Sequence, residues 1–175
     1  MIERQSVPQL FEQQAAAHPA KIAVKAGEAS ISYDQLNREA NRLAHAILAR
    51  LGDQTEPVAL LVEQGISAIV AIVGILKAGK AYVPLDPTFP QPRLAAIAAD
   101  SQARLLVTNA QNLELAAELY HEECQILNLD RLAPDLPDRN PESAIEPARH
   151  LNIMYTSGSS GQPKGVKHTH LNLVQ

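Results

Sequence analysis

Residues 151–166 read Leu-Asn-Ile-Met-Tyr-Thr-Ser-Gly-Ser-Ser-Gly-Gln-Pro-Lys-Gly-Val, a stretch that gathers several groups able to hold an anion. Thr156, Ser157, Ser159 and Ser160 offer hydroxyl donors. Gly158 and Gly161 allow backbone conformations closed to other residues, so several N–H groups can converge on one anion without side chains in the way. Lys164 adds a fixed positive charge suited to the β or γ oxygens of a nucleoside triphosphate. A bare serine and glycine run would be a flexible connector. Here the apolar lead of Leu151, Ile153 and Met154 with Tyr155 precedes it, Pro163 to Val166 follows, and Thr169 can cap a new helix. That context favours a phosphate-binding loop delivered by a strand. It is not a Walker A loop, because Pro163 precedes the lysine and Gly165-Val166 follows it, where that motif requires Gly-Lys-Ser/Thr running into a helix.

The elements that must position such a loop can be read in order. Ser6, Pro8 and Gln9 make a capped helix start, and the helix ends before His18-Pro19. Two extended runs, residues 21–25 and 29–32, flank Gly27 as a hairpin against the edge of a domain. Ser32 and Gln35 form a second capping box, and Leu36, Ala40, Leu43, Ala44, Ile47, Leu48 and Leu51 recur at helical spacing until Gly52. From residue 57 strands and helices alternate: a strand at 58–62, an almost wholly apolar helix at 67–78 ended by Gly79, and a strand at 81–83. A helix at 91–99, a strand at 104–107, a helix capped by Thr108 with Gln111 and running to about His121, and a strand at 125–127 complete the series. Residues 133–149 carry four prolines among acids and read as an irregular surface connection across the sheet edge. The alternation predicts an α/β fold with right-handed crossovers, a mainly parallel sheet and helices on both faces. Ligands then bind beyond the carboxyl ends of the strands, where the glycine loop falls.

Composition removes several classes. A net charge of −4 with 3% aromatic residues gives neither a nucleic-acid surface nor a base-stacking platform. Cys124 stands alone, which excludes an internal disulfide and reads as a buried structural thiol in a reducing compartment. Residues 1–13 carry charges where a signal peptide has its apolar core, and the longest apolar run, 69–76, is too short for a bilayer. A cytoplasmic chain without a membrane partner is expected. His168 and His170 lack a third metal ligand, so His170 is read as a capping or packing residue and His168 as exposed. Asp86 reads as a turn residue before proline, Lys77 and Lys80 as a solvated turn, and Glu114, Glu118, Glu122 and Glu123 as a solvated helix face. No catalytic residue and no metal ligand is assigned.

The stretch YTSGSSGQPKGV resembles the phosphate-loop signature of adenylate-forming enzymes, the superfamily of acyl-CoA synthetases, luciferases and nonribosomal peptide synthetase adenylation domains. Ser160 stands where the pattern has threonine, which keeps the hydroxyl. Residues 31–37 with 41–44 resemble the first core motif, residues 76–87 the second, and residues 7–24, with Phe11 and His18-Pro19, the family's opening. Pro84-Leu85-Asp86-Pro87 leans toward the peptide synthetase branch. The resemblance implies the amino-terminal subdomain of the adenylate-forming fold, truncated, with segments 1–56 (helices and hairpin), 57–132 (alternating strands and helices), 133–149 (connection) and 150–175 (strand, loop and start of the next helix). It also implies a two-step reaction. A carboxylate of an amino acid or other substrate attacks the α phosphate of ATP with Mg2+, and the acyl group of the adenylate then passes to a phosphopantetheine thiol on a partner carrier protein. Thr156, Ser157, Gly158, Ser159, Ser160, Gly161 and Lys164 would hold the pyrophosphate moiety. The family's substrate pocket, adenine and ribose contacts, magnesium-linked glutamate and essential lysine have no counterpart before Gln175. The expectation is a partial domain, inactive alone and dependent on the remaining adenylation-domain segments. The alternatives are an acyl-CoA ligase fragment, a non-catalytic ATP-binding module and an inert gene remnant.

Overall fold

The computed structural model describes residues 5–120, 124–157 and 163–174, beginning with a helix fastened by its own first turn. In α1 (Val7–Ala17) Pro8 sits in the first turn, where its missing N–H costs nothing, and the Ser6 N–H donates to Gln9 Oε1 at 2.8 Å. β1 (Ile22–Ala26) and β2 (Ala29–Ser32) pair antiparallel around Gly27, whose φ of +59° glycine adopts without strain. The Ser32 side chain caps α2 (Tyr33–Leu51) by accepting from the Gln35 N–H. This hairpin packs Val24 and Ile31 against Leu36, Ile66, Ile69 and Val70, so it covers the helix layer rather than an edge of the main sheet.

The remaining elements are β3 (Val58–Leu61), α3 (Ile66–Lys77), β4 (Tyr82–Leu85), α4 (Gln91–Ser101), β5 (Leu105–Thr108), α5 (Leu113–Leu119), β6 (Gln125–Asn128), β7 (His150–Ser157), β8 (Pro163–Thr169) and α6 (His170–Leu173). Their six-stranded sheet has the order β6-β5-β3-β4-β7-β8, parallel except for β8. Successive residues of a strand face opposite sides. Val58, Leu60, Leu105 and Val107 therefore meet Leu43 and Ile47 of α2 and Ala71 and Ile75 of α3. Ala59, Leu61 and Leu106 meet Leu94 and Ile97 of α4 and Ala116 and Leu119 of α5. Each buried leucine or isoleucine contributes about 1.5–3 kcal/mol by leaving water. Gly74 lets α2 and α3 approach closely, since a Cβ there would lie 2.7 Å from Leu43 Cδ2 and 2.9 Å from the Ala40 carbonyl oxygen.

Several sequence expectations are corrected. Lys77 and Lys80 are each only 1% exposed. The Lys77 ammonium donates to Glu12 and, at 3.0 Å, to Asn140 Oδ1, while Lys80 donates to the Gly52 carbonyl at 2.7 Å and to that of Gln54. Burial lowers both lysine pKa values, an effect that the Glu12 carboxylate opposes at Lys77. Asn140 Oδ1 also accepts from Asn37 and Asn41, and the Asp138 carbonyl accepts from Asn41 at 2.7 Å. Residues 138–140 of the irregular segment are thereby pinned across α2 and the end of α3, while Leu136 packs against the core cluster that includes Leu127 of β6. Thr108 ends β5 with its hydroxyl donating to the Leu61 carbonyl, and Asn109 caps the 3₁₀ turn Ala110–Asn112 in its place. Residues 163–169, read as loop and helix start, form β8; its proline occupies the first position of an edge strand, where no ladder bond is lost. Among the described residues no helix is long and apolar enough to cross a membrane.

Candidate functional site

β7 runs parallel to β4, so its far end reaches the carboxyl edge of the sheet. Leu151, Asn152 and Ile153 are buried, whereas Met154 is 40% exposed, so the lead into the loop is buried at its start and open on one face near its end. Thr156 pairs with Lys164 and Ser157 with Pro163 across the hairpin. Of the candidate phosphate contacts, Thr156, Ser157 and Lys164 are thus brought to the two strands that flank the loop, while Gly158, Ser159, Ser160 and Gly161 lie outside the described residues. Lys164 belongs to the returning strand and is exposed, and among the described residues no carboxylate pairs with it.

Two acids in the loops that follow β3 and β4 are already engaged. Glu63 accepts from Asn109 at 2.8 Å and from Asn112 at 2.9 Å; burial pushes its pKa up, but these bonds and one from backbone hold it below the usual range. Asp86 accepts from the Thr88 hydroxyl at 2.7 Å and its N–H at 2.9 Å, which also lowers its pKa and makes it the turn residue expected. Both acids therefore stay ionised, with acceptor capacity already taken by these neighbours. Among the described residues there is no group of three His, Cys, Asp or Glu side chains fit for a metal.

Side chains hold the hairpin at three heights. Asn152 donates from Nδ2 to the Tyr82 hydroxyl at 3.1 Å and accepts at Oδ1 from His168 Nδ1–H at 2.7 Å, lacing β4, β7 and β8 together. His168 is therefore half-buried and bonded, contrary to its reading as exposed. The Tyr155 hydroxyl donates to Asp100 Oδ2 of α4 at 2.6 Å. Beyond β8, His170 is 1% exposed and its Nδ1 accepts from the Val7 N–H at 3.3 Å; burial pushes its pKa down to about 4, in keeping with a packing role. Cys124 is partly buried and its thiol is pushed up to about 11 by burial, as an inert thiol would be. Sequence reasoning missed Asn152, Asp100 and the role of Gly165. The available signal was an aromatic residue and a glycine at equal distances from the loop, which is how Tyr155 and Gly165 come to face each other.

A family model described as AMP-binding enzyme matches residues 11–175. The chain is 39% identical over 168 residues to tyrocidine synthase 3 of Brevibacillus parabrevis, an alignment covering 95% of this chain and 3% of that protein. It is 43% identical to chondramide synthase of Chondromyces crocatus, covering 94% of this chain and 4% of that one. Among solved structures, the nonribosomal peptide synthetase FmoA3 bound to α-methyl-L-serine-AMP superimposes with a TM-score of 0.86 at 26% identity, over 97% of this chain and 19% of that one. The similarity falls on the amino-terminal part of the adenylation domain in such proteins. The chain thus spans only a few per cent of these two synthetases.

Proposed function

The chain belongs to the AMP-binding enzyme family, and from that premise we propose that its glycine loop takes the phosphates of Mg-ATP during amino acid activation by a nonribosomal peptide synthetase adenylation domain. A carboxylate oxygen attacks the α phosphorus, the bond from that phosphorus to the bridging oxygen breaks, and an acyl adenylate and pyrophosphate result. The acyl group then passes to the phosphopantetheine thiol of a carrier protein and AMP leaves. Thr156, Ser157, Gly158, Ser159, Ser160, Gly161 and Lys164 are assigned to the β and γ phosphates. Fixed N–H and O–H donors with one ammonium stabilise the charge gathering on the departing pyrophosphate by position and field, without proton transfer. Mg2+ bound with the triphosphate would neutralise part of the same charge. The substrate pocket is assigned to adenylation-domain segments other than these 175 residues, so the chain alone is proposed not to catalyse, and its setting is cytoplasmic.

The observation that carries this reading is the register pair Thr156 with Lys164, which sets a hydroxyl-bearing residue and a lysine without an ion-pair partner among the described residues on facing positions of the strands that flank the glycine loop. The test is a titration of the full chain with Mg-ATP, followed by backbone amide resonances. Shifts are expected at Thr156, Ser157 and Lys164, and Lys164→Ala should weaken binding roughly 10- to 100-fold, as befits one charge-assisted contact. No ATP-dependent shift at these amides overturns the assignment. Substrate-dependent pyrophosphate exchange by the chain alone overturns the proposed inactivity.

A further inference from the structure

The hairpin that carries the loop is lightly tied to the sheet it extends. β7 meets β4 at one register pair, Tyr82 with Asn152, whereas β3 meets β4 and β5 at four pairs each. Pro84 has no N–H to offer a ladder, and past Asn152 β7 is held by side chains, Ile153 in the core cluster with Val83 and Leu85 and Tyr155 against α4. Tyr155 reaches from β7 to the helix layer, its hydroxyl donating to Asp100 Oδ2 at 2.6 Å. Its ring lies against Gly165, its partner across the hairpin. A Cβ on Gly165 would stand 2.9 Å from Ile153 Cγ2 and 3.1 Å from Tyr155 Cζ. The φ of Gly165 is not in the left-handed region, so glycine serves the ring there and not the backbone. Asp100 makes no ion pair among the described residues and is free to accept from the phenol, whose pKa is raised by its burial and by that carboxylate.

We infer that Tyr155 and Asp100 are positioning residues, a latch between β7 and α4 that sets the pose in which Thr156 and Lys164 meet the phosphates. The latch lies one residue from Thr156, and its effect on ligand rests on the phosphate-binding reading above. Tyr155→Phe keeps the ring over Gly165 and removes only the O–H donor. Asp100→Ala removes the acceptor, and Asp100→Asn keeps an oxygen that can accept.

Amide hydrogen exchange on the ligand-free full chain and Mg-ATP titration of the same variants test the two halves separately. Tyr155→Phe and Asp100→Ala should each speed exchange of the β7–β8 cross-strand amides about 3- to 10-fold, the range of one hydrogen bond. Amides of β3 and β5 should be unchanged. Mg-ATP affinity should fall by a similar factor in both, recover in Asp100→Asn, and fall no further when Tyr155→Phe and Asp100→Ala are combined. Unchanged hairpin exchange overturns the latch. Faster exchange with undiminished affinity overturns its role in positioning, and failure of Asp100→Asn to rescue overturns the hydrogen bond as its cause. If the wild-type chain shows no response to Mg-ATP, the phosphate reading and the positioning role fall together, while the exchange rates still decide whether the latch exists.

Discussion

The centre of the sheet and its β8 edge are held by different physics. Every residue of β3 and β5 is buried, and apolar layers close on them from both faces. At the edge, Lys164, Gly165, Val166 and Lys167 are exposed, and beyond the buried Leu151 and Ile153 the hairpin is fastened by single hydrogen bonds from Asn152 and Tyr155. Burial is non-directional and adds up with area, so it supplies stability without fixing an angle. A hydrogen bond contributes only about 0.5–1.5 kcal/mol but is directional, which suits a loop whose donors must converge on a ligand. Local opening should therefore be frequent at the hairpin and rare at the centre.

The largest expected effect tests that contrast directly. Leu61→Ala removes a side chain that is 0% exposed between β4, β5 and the α4–α5 layer, and should cost about 2–5 kcal/mol. Met154→Ala, on a side chain 40% exposed, should cost under about 0.5 kcal/mol. Denaturant midpoints at constant slope measure both, and equal losses would erase the distinction between centre and edge.

A smaller effect comes from two glycines that are crowded for different reasons. A Cβ on Gly74 meets the Ala40 carbonyl oxygen and the Leu43 side chain, so the helices themselves must separate to admit it. Gly74→Val should cost about 2.5 kcal/mol, since overpacking at the upper end of its usual range outweighs the roughly 0.4 kcal/mol gained in helix propensity. A Cβ on Gly165 meets only side-chain atoms of Ile153 and Tyr155, so those two side chains must shift while the backbone around them need not. Gly165→Ala should lower the denaturant midpoint less than Gly74→Val and reproduce the fast hairpin exchange of Tyr155→Phe. A Gly165→Ala midpoint shift as large as that of Gly74→Val would show that the edge is packed like the centre.

The same contrast explains what could be read from the sequence. Elements governed by local rules were legible: the Ser32–Gln35 box that caps α2, the Gly27 hairpin turn, and the short, wholly apolar runs that become the buried strands β3 and β5. Lys77 and Lys80 were misread as solvated because their partners, Glu12, Asn140 and the Gly52 and Gln54 carbonyls, are distant in sequence and come together only in the fold. β8 was missed because Pro163 and Gly165 both argue against a strand until the Tyr155 ring is seen to cover the glycine. His168 reads as exposed because nothing local announces Asn152 across the hairpin. Asp100 is an ordinary helix acid in sequence, and only the hairpin's geometry gives it Tyr155 as a partner.

A further effect, modest at neutral pH, concerns the far end of the hairpin, where buried, directional contact combines both kinds of restraint. His170 is 1% exposed, and the lone pair of its Nδ1 takes the Val7 N–H, joining the segment after β8 to the start of α1. Only the neutral ring can accept that bond. Burial pushes the pKa from an ordinary 6.5 down to about 4. The unfolded chain therefore takes up a proton that the folded chain refuses, and the contribution of His170 to stability is complete above about pH 6.5 and lost as pH falls toward 4. His170→Asn places an oxygen acceptor near the position of Nδ1 and cannot titrate in this range. It should change stability by no more than about 1 kcal/mol at pH 7.5, and the gap between the two proteins should close or reverse by pH 4.5. Leu61→Ala, which touches no titrating group, should keep the same offset from wild type at both pH values. If His170→Asn retains the full acid dependence of the wild type, the histidine does not govern that slope, and the far end of the hairpin is held by packing alone.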